Sequence, residues 1–105
     1  MADQSANTFG TDVVEKTDEQ LKEPEMYKVV LHNDHYTTME FVVEILRVVF
    51  HKETPEATRI MLDVHQKGRG VVGVYTYDVA ATRAHRVHRL AKEREYPLRC
   101  TVEPA

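Results

Sequence analysis

Asn33, Asp34, His35 and Thr37 fall within five residues, and Met39 and Val42 follow directly, so the chain sets hydrogen-bond acceptors beside an apolar wall. Such a set suits a ligand that carries a cationic or donor group next to an apolar one. The amide oxygen, the carboxylate and a neutral imidazole can all accept hydrogen bonds, while methionine and valine bring no competing polar atom. Met61, Val64 and His65 repeat the combination. His65 lies one turn after Met61, which on a helix projects both from nearly the same face. A structural duty competes at the first cluster, because Asn-Asp ahead of a helix most often serves only the backbone.

The elements that would hold these residues can be read from periodicity and turn chemistry. Tyr27 to Leu31 is β-branched and apolar enough for a strand, and Asn33-Asp34 ends it. Thr37 and Glu40 then have the spacing of a capping box for a helix over 38–50, with Met39, Val42, Val43, Leu46, Val49 and Phe50 on its apolar face. Thr54-Pro55-Glu56 opens a second helix with Thr54 as its cap, and Gly68 stops it. Residues 70–77 read as a strand with glycine irregularities. Asp78 is the expected cap of a last helix running to about Tyr96, where Pro97 ends it, with Val79, Ala80, Ala84, Val87 and Ala91 facing inward. Leu98, Cys100 and Val102 alternate with Arg99, Thr101 and Glu103 as in a strand with one buried face. The expected fold is α+β: a small, mostly antiparallel three-stranded sheet packed against three helices, in the order β-α-α-β-α-β.

Through Glu25 the chain carries seven acids against two lysines, whereas from Met26 on it has ten acids against twelve bases. That asymmetry, with too little apolar surface to offset chain ordering, marks 1–25 as an acidic tail expected to be disordered and 26–105 as one folded domain. No signal peptide or membrane-crossing run is legible, so a cytoplasmic protein is expected, with no membrane partner. A single cysteine, Cys100, excludes an intrachain disulfide and reads as a buried thiol.

Enzyme chemistry finds little support. The one serine, Ser5, lies in the tail, Glu40 and Glu44 read as exposed helical acids, and Gly68-Arg69-Gly70 lacks the lysine and hydroxyl of a phosphate loop. His32 with His35 and His85 with His88 have no accompanying ligand framework for zinc, and no cofactor is implied. Arg83, Arg86, Arg89, Lys92 and Arg94 give the last helix a basic surface, which keeps RNA binding open as an alternative.

Met26-Tyr-Lys-Val-Val-Leu, Asn33-Asp34, Tyr36-Thr37, Met39-Glu-Phe-Val42, Met61-Leu62, Val64-His65, Gly73-Val74, Tyr75-Thr76 and Pro97-Leu-x-Cys-Thr101 together resemble the ClpS family of Clp protease adaptors, from about Pro24 to the end. The resemblance implies a monomeric, non-enzymatic adaptor that captures proteins with a destabilising first residue (Leu, Phe, Tyr or Trp) and delivers them to the ClpA unfoldase of the ClpAP protease. It implies no nucleic acid partner. It places the substrate α-amino group and backbone at Asn33, Asp34, His35, Thr37 and His65, and the side chain in a pocket of Met39, Val42, Met61, Val64 and Leu98. Met39 would act there as a gate against side chains branched next to the backbone. Asp78 and Arg83 match positions of the unfoldase docking surface, and the acidic tail matches the delivery segment in location. Two departures stand out at the site: His35 occupies a position where the family commonly has a second aspartate, and Thr38 one where it commonly has proline. At the docking surface, Ala81 replaces a common acid. The alternatives that remain are a small RNA-binding module using the basic helix and a metal-dependent enzyme using the histidines.

Overall fold

The computed structural model describes residues 23–105. Strand β1 (Met26–His32) is followed by helices α1 (Met39–Val48) and α2 (Thr54–Lys67), strand β2 (Arg69–Thr76), helix α3 (Tyr77–Glu93) and strand β3 (Arg99–Pro104). The order is the one expected. The sheet is antiparallel with strand order β2-β1-β3, so the first strand is central. Its Val29, Val30 and Leu31 are fully buried. Leu31 and Val29 join the core formed with the helices, while Val30 lies between Val71 and Thr101 on the neighbouring strands. Of the expected tail, 1–22 lies outside the described residues, and 23–25 precede β1 without regular structure.

The core draws on each helix. Phe41, Val42, Ile45 and Leu46 of α1, Ala57, Ile60 and Val64 of α2, and Ala80, Ala84, Val87 and Ala91 of α3 are buried against the sheet at helical spacing. Val79, expected on the inner face of α3, is exposed; its neighbour Ala80 is the residue that turns inward. Burial pushes the Cys100 thiol up to about 12, which removes it from thiolate chemistry.

All three helix caps differ from expectation, the first because of local hydrogen bonding. Thr38, not Thr37, caps α1: its hydroxyl accepts from the Phe41 amide at 3.1 Å, leaving Thr37 to donate to Asp34. Two adjacent threonines make the capping pattern ambiguous by one residue, and the Asp34 carboxylate resolves it. Glu53 occupies the cap of α2 without a side-chain bond, so Thr54 is already helical beside Pro55. Thr76 holds the same position for α3, which places Asp78 within the first turn, where its charge still favours the helix dipole. That helix ends at Glu93, ahead of Pro97, because Glu95 adopts a left-handed conformation at φ 61° and Tyr96 donates back to the Ala91 carbonyl at 2.9 Å.

Gly70 fixes how closely β2 lies under α2. A Cβ there would stand 2.8 Å from Val64 Cγ2 and 3.1 Å from the Ile60 carbonyl oxygen, and a helix carbonyl cannot step aside alone. Gly70→Ala should therefore lift the C-terminal half of α2 and lower stability by about 1–3 kcal/mol, read as a shifted midpoint in urea unfolding. An unchanged midpoint would show that the helix accommodates the methyl group.

Candidate functional site

The turn between β1 and α1 is pinned to the end of α2 by backbone bonds. Gly68 takes φ 87°, its amide donates to the Val64 carbonyl at 3.1 Å, and its own carbonyl accepts from the Asn33 amide at 3.0 Å. Asn33 is thereby brought beside the last turn of α2, which carries Val64 and His65. The turn then closes on Asp34. One carboxylate oxygen accepts from the amides of Tyr36 and Thr37, both at 2.7 Å, and the other accepts from the Thr37 hydroxyl at 2.7 Å. Burial alone would raise the Asp34 carboxyl. The bonds from Thr37 and Tyr36, with the nearby His35, outweigh it and hold that carboxyl below the ordinary aspartate value.

Between this turn, α1 and α2 lies a cavity of about 460 Å³. Asn33, Asp34, His35, Thr37 and His65 line its polar side, and Met39, Val42, Met61 and Val64 its apolar side. Val42 and Val64 are buried and Met61 is half-buried, whereas Met39 is 45% exposed at the mouth, where a flexible thioether can move. The lining includes the carboxylates of Asp34 and Glu40 but no lysine or arginine, which favours a cationic guest.

Nine of the ten residues expected to meet a substrate thus share one cavity. The tenth, Leu98, does not line it. It is buried and forms part of a separate depression with Tyr36, Ala91, Tyr96 and Pro97. The resemblance places Leu98 in the pocket, whereas its alternation with Arg99 identifies only a buried position without saying which cavity it borders. Sequence reading also passed over Tyr36, Thr38 and Glu40 as lining residues. The cap preference of Thr38 was the available signal for one of them.

Asp78 is exposed in the first turn of α3, and Arg83 sets its guanidinium 5.2 Å from the Tyr75 ring centroid. Two of the four histidines considered for metal, His32 and His88, have protein partners. His32 Nε2 lies 2.8 Å from the Thr101 hydroxyl, and His88 Nε2 accepts from the Cys100 amide at 3.0 Å. Among the described residues, no three His, Cys, Asp or Glu side chains are grouped to hold a metal ion. No helix among them is long and apolar enough to cross a membrane.

A family model described as ATP-dependent Clp protease adaptor protein ClpS matches residues 22–101. The chain belongs to the ClpS family. A ClpS adapter protein of Syntrophus aciditrophicus is 56% identical over 101 residues, covering 89% of this chain and 94% of that protein. One from Acetivibrio thermocellus is 60% identical over 94 residues, covering 90% and 95% respectively. Among solved structures, Agrobacterium tumefaciens ClpS2 bound to L-phenylalaninamide superposes with a TM-score of 0.76 at 41% identity, covering 79% of this chain and all of that one. The ClpS fold therefore extends over the described domain, with the cavity inside the matched region.

Asp34 links site geometry to pH. Its depressed carboxyl stabilises the folded state fully above the unfolded aspartate value of about 3.9, and that contribution is lost as pH falls through the folded value. Asp34→Asn removes the charge and the acceptor for the Thr37 hydroxyl, so it should cost about 1 kcal/mol near neutral pH, with the half-exposed setting holding the figure down. Thermal unfolding should show the gap to wild type closing below about pH 4. A gap that persists undiminished in acid would assign the loss to packing.

Proposed function

We propose that this protein is an N-degron adaptor: it captures proteins that begin with Leu, Phe, Tyr or Trp and delivers them to the ClpA unfoldase of the ClpAP protease. The observation that carries this reading is the junction of acceptors and apolar wall in one cavity, which fits the two ends of a protein's first residue at once. A free α-ammonium would donate to the Asn33 side-chain oxygen and a neutral His65 nitrogen, with Asp34 and Glu40 adding negative potential. The first side chain would lie against Met39, Val42, Met61 and Val64, gaining ~1.5–3 kcal/mol on full burial. An internal leucine or phenylalanine has the same side chain but lacks the ammonium and brings a preceding chain that the polar wall must exclude. The L-phenylalaninamide bound by the Agrobacterium relative is a free amino acid amide of this kind. We assign unfoldase docking to Asp78 and Arg83 on α3, remote from the cavity lining, so one surface could hold the client while another meets the protease.

Equilibrium binding of labelled peptides that start with Leu, Phe, Tyr or Trp, each free and N-acetylated, tests the reading. Acetylation removes the charge and two donors and should weaken binding about 100-fold, roughly 3 kcal/mol. Equal affinity for both forms would reject the adaptor pocket.

His35 sets a second expectation. Asp34, His35, Tyr36, Glu40 and His65 are the titratable groups that line the cavity. Imidazolium has no acceptor and repels an ammonium, so protonation of either histidine opposes binding while the two acids favour it. His35→Asp should strengthen binding of a free Leu or Phe peptide about two- to fivefold near neutral pH. Equal or weaker binding there would remove His35 from the explanation.

A further inference from the structure

The cavity does not end the chain's apolar surface on this side. A second depression of about 670 Å³ runs alongside it, with Ala91, Tyr96, Pro97 and Leu98 as its apolar lining and Lys92 among its polar residues. Tyr36 lines both. The residue is 77% exposed, while its backbone is held by the Tyr36 amide, which donates to Asp34 at 2.7 Å. The far side is equally set: the left-handed Glu95 and the Tyr96-to-Ala91 backbone bond fold the segment back onto α3. Tyr36 thus carries an exposed aromatic ring on a held backbone between two hollows. A third hollow adjoins the cavity at Glu40, but Glu44, Arg47, Lys52 and Glu53 make it a charged surface.

Resting on the adaptor reading above, we propose that the hollow beyond Tyr36 is a second subsite that takes the side chain of the client's third residue and prefers it apolar. An extended chain alternates its side chains, so residues one and three point to the same side while residue two points away. Their separation is about 6.6–6.8 Å, enough to straddle one aromatic ring. With the first side chain in the cavity, the second residue's backbone crosses the Tyr36 ring and the third side chain drops against Tyr96 and Pro97, with buried Leu98 beneath them. Continuity through a shared residue is what commits this hollow to the client and not to another protein. The selectivity that follows belongs to the sequence after the first residue, so clients with the same first residue would rank by their third.

The full chain should be titrated with free-terminus peptides Phe-Gly-X-Gly, where X is Leu, Gly or Asp, with Phe-Leu-Gly-Gly as the position control and L-phenylalaninamide as the single-residue probe. Leu at position three should bind about three- to tenfold tighter than Gly there, and Leu at position two should gain little. A spin label on the cysteine of a Phe-Gly-Leu-Gly-Cys peptide should broaden the amide resonances of Lys92, Glu95 and Leu98 and spare those of Arg47, His51 and Lys52. If the amide binds but position three has no effect, or the broadening falls on 47–52, the subsite is overturned and the cavity stands. Failure of the amide itself to bind overturns both readings.

Discussion

The hydrogen bond from the Asn33 amide to the Gly68 carbonyl is the constraint on which the site depends. It joins two chain reversals that are 35 residues apart, one after β1 and one after α2, and without it the acceptors and the apolar wall would belong to different surfaces. Only a left-handed residue at the end of α2 can turn its carbonyl toward β1, and glycine adopts that conformation without a Cβ penalty. Gly70 completes the device two residues later. By letting β2 approach the Val64 backbone, it fixes the height of α2 above the sheet and so the depth of the cavity that Val64 and Met61 line.

The Asp34 carboxylate performs a different task from the one its position suggests. All three of its hydrogen bonds are local, to Tyr36 and Thr37, so its direct work is to shape the turn. Its charge still reaches the cavity. That division matters for selection, because a carboxylate committed to its own turn contributes potential without the geometry of a dedicated ammonium partner. Under the proposed reading, Asn33 and the imidazoles of His35 and His65 would provide that geometry as acceptors, and selection for a free terminus would lean more heavily on oriented neutral acceptors than on paired charge.

The fold and most of the cavity lining were legible because their signals are local and redundant. Alternation marked β3, the Ile60, Met61 and Val64 stripe ending at Gly68 marked α2, and the grouping of Asn33 to Val42 with Met61 to His65 marked the cavity. What could not be read was set by contacts between elements or by a choice between adjacent residues. Thr37 and Thr38 are equivalent to a capping rule until Asp34 claims the first. Leu98 is apolar in a strand register, yet which of two hollows it faces is decided by the reversal at Glu95 and the position of Tyr36. Tyr36 itself, an exposed aromatic between polar neighbours, carries no periodic signal at all.

The last helix shows how tertiary contact alters the meaning of a charge run. Five basic residues from Arg83 to Arg94 invite a nucleic acid reading, but Arg83 packs over Tyr75, and Arg94 pairs with Glu44 at 3.0 Å while its guanidinium lies 5.4 Å from the Phe41 ring centroid. Arg86, Arg89 and Lys92 remain as an exposed line along the helix. Three phosphate contacts would give a salt dependence of only about −2 to −3 in log–log slope, the regime of weak, sequence-independent association. Aromatic platforms that would add stacking energy are also poorly placed, since Tyr75 already lies under Arg83 and Tyr96 packs against Phe41 at 4.9 Å between ring centroids. The same arginines serve better as structural braces: Arg94 ties the end of α3 to α1 through both a carboxylate and an aromatic face. A brace of that kind ties α1, which carries the Met39 and Val42 wall, to the same end of α3 that builds the hollow beyond Tyr36.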